Sequence, residues 1–157
     1  MTLQIRQPAM EDYAAWARLW AAYNVFYGRV GETSLPPEVI ETTWRRLLNP
    51  GTPVVALVAE QNSCLVGLAH VVFHPNLIQV ADTCYLQDLF TEPGARGSGI
   101  ARALIKGIED ECRQREVADI YWHTHEENAA ARQLYNRVAT NTGFIVYRIK
   151  PLGSQPQ

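Results

Sequence analysis

A chain of 157 residues has the length of one domain and is sufficient to bury a layered core without disulfides or a metal ion. A hydrophobic share of 47% beside 19% charged residues describes an ordinary globular protein, and no apolar run approaches the roughly 20 residues of a membrane span. The net charge of −2 argues against nucleic-acid affinity, which needs a basic face, and is compatible with a cationic substrate. In chain order, Leu3-Gln4-Ile5-Arg6 alternates as an edge strand, Pro8 breaks it, and a helix begins near Asp12. Trp16, Leu19, Trp20, Tyr23 and Phe26 recur at helical spacing until Gly28 and Gly31 end the pattern. Ser34-Leu35-Pro36-Pro37 leads into a second helix through about Leu48, which Asn49-Pro50-Gly51 stops.

Val54 to Ala59 is too apolar for a solvent-facing edge, and Gln61-Asn62-Ser63 turns it into Cys64 to Phe73, a hairpin. A fourth strand is expected at Cys84 to Phe90. An amphipathic helix follows from Gly97 to about Arg115, with Ile100, Leu104, Ile108 and Cys112 on one stripe. Asp119 to Thr124 reads as a strand, Asn128 to about Thr140 as a helix, and Phe144 to Ile149 as a closing strand. Residues 1–150 are thus expected to form one α/β unit with a mixed sheet, because two or three antiparallel strands precede the glycine-rich turn. Residues 151–157 are expected to be a short tail. Met1-Thr2-Leu3-Gln4-Ile5 carries no leader pattern, and Cys64, Cys84 and Cys112 form no Cys-x-x-Cys unit, so reduced thiols and a cytoplasmic location are expected.

The turn Arg96-Gly97-Ser98-Gly99-Ile100-Ala101 between a strand and a helix has a direct chemical use. Free N–H groups and the positive end of the helix dipole attract an anion, glycines let it approach the backbone, and Arg96 adds charge. The alternative is a turn that uses Gly97 and Gly99 for backbone geometry alone. There is no Gly-x4-Gly-Lys-Ser/Thr and no Gly-x-Gly-x-x-Gly after a first strand, so neither a nucleotide triphosphatase nor a dinucleotide fold is supported.

Arg96-x-x-Gly99-x-Ala101 resembles the Arg/Gln-x-x-Gly-x-Gly/Ala signature of the GCN5-related N-acetyltransferase (GNAT) superfamily. Asn128-x-x-Ala131-x-x-Leu134-Tyr135 and Gly143-Phe144 are similar to two later segments of that family. Tyr85-Leu86-Gln87-Asp88-Leu89-Phe90 is similar to a strand of the diamine/polyamine and fungal histone/polyamine acetyltransferase group, with Gln87 where a glutamate is frequent. Eight positions, rather than four, separate Tyr135 from Gly143, which predicts a longer last helix.

The resemblance implies a mostly antiparallel twisted sheet, helices on both faces, and a splay between the fourth and fifth strands. It implies acetyl-CoA as co-substrate and a primary amine acceptor, polyamine-like or lysine-like, attacking directly in a ternary complex; no metal is expected, because no ligand set has zinc spacing. The backbone of Leu89, Phe90 and Thr91 would hold the pantetheine arm, Arg96, Gly97, Ser98, Gly99, Ile100 and Ala101 the pyrophosphate, and Asn128 a pantetheine amide. Tyr135 would touch the coenzyme sulfur and protonate it. Homodimers are common among similar proteins, and no segment here identifies an interface.

An alkylammonium must lose a proton before attack. Asp88 is a candidate for that base or for binding the cationic substrate. Strand parity puts it on the face opposite Gln87 unless a bulge intervenes. The aromatic stripe from Trp16 to Phe26 reads most simply as core, and the resemblance makes Tyr23, Phe26 and Tyr27, with Gln87 and Asp88, candidates for the acceptor pocket. Glu126 and Glu127 read as helix-start carboxylates. His123 and His125 share a face but lack a third ligand at zinc spacing. Two other readings stand beside this one: a non-catalytic acyl-CoA sensing domain, hinted at by Gln87, and a modifier of protein or peptide lysines.

Overall fold

The computed structural model describes residues 2–153. Met1 and residues 154–157, which include most of the expected tail, lie outside the described residues. The chain divides into two compact units that meet in sequence at Trp122 and His123.

The first unit is built on five strands in spatial order β1-β2-β3-β4-β5: β1 Leu3–Arg6, β2 Val54–Gln61, β3 Cys64–His74, β4 Thr83–Thr91 and β5 Asp119–Tyr121. The first three pairings are antiparallel and the last is parallel. The β2–β3 hairpin closes through Asn62 and Ser63, both with positive φ, the backbone twist that suits a two-residue turn between right-twisted strands. Helices α1 (Tyr13–Phe26), α2 (Pro37–Leu48) and α3 (Ile100–Gln114) complete the unit.

β2 is apolar from Val54 to Ala59 because both of its faces are covered there. Val58 joins Trp16, Leu19, Trp20, Tyr23, Leu65, Leu68 and Phe90 in one buried cluster, with Ile40, Trp44 and Leu47 of α2 packed against it. On the other face, Gly107 of α3 lies so close to Ile5 and Leu57 that a Cβ there would approach them to 2.9 and 3.0 Å. The expected stripe Ile100, Leu104, Ile108 and Cys112 is buried along its whole length. Among the described residues no helix is long and apolar enough to cross a membrane.

Two irregularities position the site. β5 pairs with β4 only through Thr83, Cys84 and Tyr85, so the strands part after Tyr85 and, among the described residues, leave the edge of β4 away from β3 without a strand partner from Leu86 to Thr91. The β3–β4 register also slips: His70 faces Asp88, yet Val71 faces Leu86, and Gln87 is the extra residue. That bulge reverses the alternation along β4. Cys84 lies against Cys112 of α3, whereas Phe90 packs with α1 on the opposite face.

The second unit contains α4, Ala129–Val138, and two sequence expectations fail there. The last helix is not longer: Ala139 is extended, with φ −148°, and its N–H donates to the Tyr135 carbonyl to end the helix. Asn141 Oδ1 then accepts from Gly143 N–H, and Thr142 Oγ1 from Phe144 N–H, local bonds that compete with helix. Phe144 to Ile149 forms no strand, and Phe144 and Tyr147 are 91% and 88% exposed. Their aromatic and β-branched side chains supply β-propensity, but a strand also needs a neighbouring edge to bond, and that is a matter of tertiary context. The β5 expectation was likewise too long, since pairing stops at Tyr121 and leaves His123 and His125 outside the strand.

Candidate active site

The exposed turn after β4 is shaped by two left-handed glycines, Gly97 at φ 79° and Gly99 at φ 82°. Gly99 is the N-cap of α3, and the first intrahelical bond runs from Ala103 N–H to its carbonyl. The N–H groups of Ile100, Ala101 and Arg102 therefore have no intrahelical acceptor. A Cβ at either glycine would meet nothing within 4 Å, so the space in front of the turn is open. Ser98 Oγ donates back to the Ala95 carbonyl and rigidifies the turn. The Ile100 side chain is buried in the core, which leaves only its backbone for a ligand.

Arg96 Nε donates to the Thr91 carbonyl at 3.1 Å, and its guanidinium lies about 6 Å from the ring centres of Phe26 and Phe90. It has no carboxylate partner among the described residues. Nearby, Thr91 Oγ1 is a buried side-chain oxygen without a hydrogen-bond partner.

Tyr23, Phe26 and Tyr27, at the end of α1, are brought together over the same stretch of β4. Tyr23 and Tyr27 ring centres are 4.9 Å apart, Phe26 and Tyr27 5.2 Å, and Tyr23 and Phe90 6.2 Å. Phe26 and Tyr27 are exposed, whereas Tyr23 is buried, and burial together with the Asp88 charge pushes loss of its phenolic proton to higher pH. Where β4 and β5 part, Tyr85 stacks on Tyr121 at 5.0 Å, and Tyr121 Oη lies 2.9 Å from His74 Nε2.

Gln87 is exposed on the bulge, with its carbonyl 3.5 Å from the Tyr23 hydroxyl. Asp88 is only 7% exposed, and its Oδ2 lies 2.8 Å from His70 Nδ1. His70 was not singled out by sequence reasoning. The available signal was one titratable residue inside the apolar run Leu65 to Phe73.

In the second unit, Asn128 caps α4, its Oδ1 accepting from Ala131 N–H at 3.4 Å, and Tyr135 lies two turns further along the same face. Arg132 Nη1 donates to the Glu126 carbonyl, and Glu127 N–H donates to His125 Nδ1. Among the described residues no group of three His, Cys, Asp or Glu side chains is arranged to hold a metal ion.

A mixed sheet whose fourth and fifth strands part beside a glycine turn into a helix defines an acyl-CoA-dependent acyltransferase class. The chain belongs to the acetyltransferase (GNAT) family, whose profile matches residues 15–139, and it is an acetyl-CoA-dependent N-acetyltransferase. It is 30% identical to the D-amino-acid N-acetyltransferase HPA3 of Saccharomyces cerevisiae over 140 residues, 88% of this chain and 84% of that one. It is 29% identical to the uncharacterized N-acetyltransferase YhfO of Bacillus subtilis, over 92% of this chain and 95% of that one. The fold is shared with AAC(6')-Iy, solved with the bisubstrate analogue CoA-S-monomethyl-acetylneamine, at TM-score 0.81 and 16% identity, covering 96% and 99% of the two chains.

Proposed function

We propose that the protein transfers acetyl from acetyl-CoA to the primary amine of a small cationic acceptor, polyamine-like or lysine-like, by direct attack with both substrates bound. The observation that carries this reading is the unpaired edge of β4 running from Leu86 to Thr91 into the turn of Gly97 and Gly99. An extended chain of amides ending in a pyrophosphate fits such a surface: the edge offers strand-like bonding, Thr91 Oγ1 lacks a partner, and the turn offers N–H donors in open space.

Acetyl-CoA supplies an activated acyl carbonyl when bound. The backbone of Leu89, Phe90 and Thr91 would hold the amide arm, with an N–H near Leu89 polarising the carbonyl, and Arg96 through Ala101 would hold the pyrophosphate. Asn128 and Tyr135 keep their expected roles, amide contact and thiolate protonation, on the strength of their motif and of sharing one face of α4. That residues 1–150 act as one catalytic domain is part of the proposal, supported by a family match that runs through Trp122 and His123 without a break. A cytoplasmic location is also part of it, supported by three free thiols.

The acceptor side rests on the aromatic group Tyr23, Phe26 and Tyr27 above a buried carboxylate, surroundings that favour an alkylammonium. Release of CoA thiol should be followed with polyamines, lysine analogues, D- and L-amino acids, aminoglycosides and histone-like peptides. Saturable turnover on one class of small amine, with intersecting initial-velocity lines, is expected. Parallel lines would overturn direct attack, and CoA binding without turnover on any amine would favour the acyl-CoA sensing role.

A further inference from the structure

Beneath the aromatic group lies a buried hydrogen-bond chain that joins three elements. Trp16 of α1 places Nε1 2.9 Å from His70 Nε2. An indole N–H only donates, so Nε2 of His70 must be the acceptor and carry no proton. The ring proton is then on Nδ1, which faces Asp88 Oδ2 at 2.8 Å and donates to it. A second proton on the ring would set N–H against N–H at Trp16 in a site where His70 is 5% exposed. His70 is therefore confined to one role, a neutral donor aimed at Asp88.

The carboxylate it addresses is unusual in its surroundings. His70 of β3, Tyr23 of α1 and Tyr85 of β4 are the titratable groups that face it, and Tyr23 in turn faces Tyr27 and Arg29. No Lys or Arg is bonded to Asp88 among the described residues. A buried carboxylate that receives the His70 N–H but no cation is poised to take a positive charge or a proton from a ligand. The bulge at Gln87 makes this possible, because it places Asp88 opposite His70 and beside the Tyr23 hydroxyl.

We propose that His70 is a positioning residue for acetyl transfer, holding Asp88 as a carboxylate beneath Tyr23 so that the pair can remove the proton an acceptor ammonium must lose. This rests on the amine-acetylation reading. The ammonium N–H bond breaks as its proton passes to the Tyr23 oxygen, and the Tyr23 proton passes to Asp88. The freed lone pair forms the new C–N bond to the acetyl carbon while the C–S bond breaks, and the second proton that the nitrogen loses balances the one that the thiolate takes.

Paired substitutions test this. His70→Asn keeps an N–H donor at the Nδ1 position, whereas His70→Gln moves it away from Asp88. With the folded fraction checked by thermal melts, His70→Gln should lower kcat roughly 100-fold with little change in KM for acetyl-CoA. The acidic limb of its pH–rate profile should move to higher pH, because a carboxylate that loses a donor is protonated more readily. His70→Asn should restore both kcat and the limb to a substantial degree. Wild-type kcat and an unmoved limb in His70→Gln, or equal impairment of the two variants, would overturn the proposal. If the protein acetylates no amine, NMR still decides. The His70 ring nitrogens should report a proton on Nδ1 and none on Nε2 at neutral pH. The Asp88 carboxyl carbon should titrate at higher pH in His70→Gln than in His70→Asn. An Nε2–H or doubly protonated ring in the wild type, or equal Asp88 titration in the two variants, would sink it.

Discussion

Arg6 holds Asp12 with both ends of its guanidinium, Nη1 to Oδ2 at 2.6 Å and Nη2 to Oδ1 at 3.0 Å, while its Nε donates to Glu60 at 2.8 Å. The same Asp12 Oδ2 accepts from Ala9 N–H at 2.7 Å. One carboxylate thus ties the end of β1 to the turn that starts α1, and so fixes where the helix carrying Trp16 and Tyr23 meets the sheet.

This pairing makes stability depend on pH. The hydrogen bonds from Arg6, and then that from Ala9 N–H, hold the Asp12 carboxyl below its ordinary range despite burial. The folded state therefore takes up that proton only below the pH at which the unfolded chain has already bound it. The contribution is complete above about pH 4 and is lost as pH falls through the lower folded value. Asp12→Asn should cost about 1–3 kcal/mol at neutral pH in urea melts, and the gap to wild type should narrow in acid.

The glycine turn separates binding from folding. Gly99→Ala meets no atom within 4 Å but must hold φ near +82°, which costs an alanine about 1–2 kcal/mol. Calorimetric titration with CoA should show a loss of affinity larger than this stability change accounts for, since the same distortion moves N–H groups away from the pyrophosphate.

Gly67 allows β3, β4 and α3 to approach one another. A Cβ there would lie 3.0 Å from the Phe90 carbonyl oxygen and 3.0 Å from Ile100 Cγ2. Backbone cannot yield as a side-chain tip can, so Gly67→Ala should destabilise by about 1–3 kcal/mol. It should also weaken CoA binding, because it pushes on the end of β4 and the start of α3 together.

Thiol chemistry should distinguish the cysteines. Burial pushes the Cys84 and Cys112 thiols up, whereas Cys64 is exposed. Iodoacetamide labelling read by peptide mass spectrometry should modify Cys64 first, and the other two only on unfolding.

Tyr135→Phe removes the proposed acid while leaving the ring. Turnover should fall by roughly 100-fold, with CoA affinity changed by much less. Unchanged turnover would take the acid role from Tyr135.

The sequence by itself determined what depends on local periodicity and on residue chemistry confined to a few neighbouring positions. The stripe Ile100, Leu104, Ile108 and Cys112 fixed one face of α3, and Gly97 and Gly99 fixed a turn that few other residues can adopt. Asn62 and Ser63 marked the hairpin, and the pattern Arg96-x-x-Gly99-x-Ala101 carried the family. Phe144 to Ile149 shows the limit of that legibility: β-propensity is local, but strand bonds are made with another segment. Tertiary structure alone decided that β5 leaves β4 after Tyr85, that Gln87 is the bulged residue, and that His70 therefore faces Asp88. Those outcomes depend on register between segments far apart in sequence, and one extra residue in β4 reverses which face every later side chain occupies.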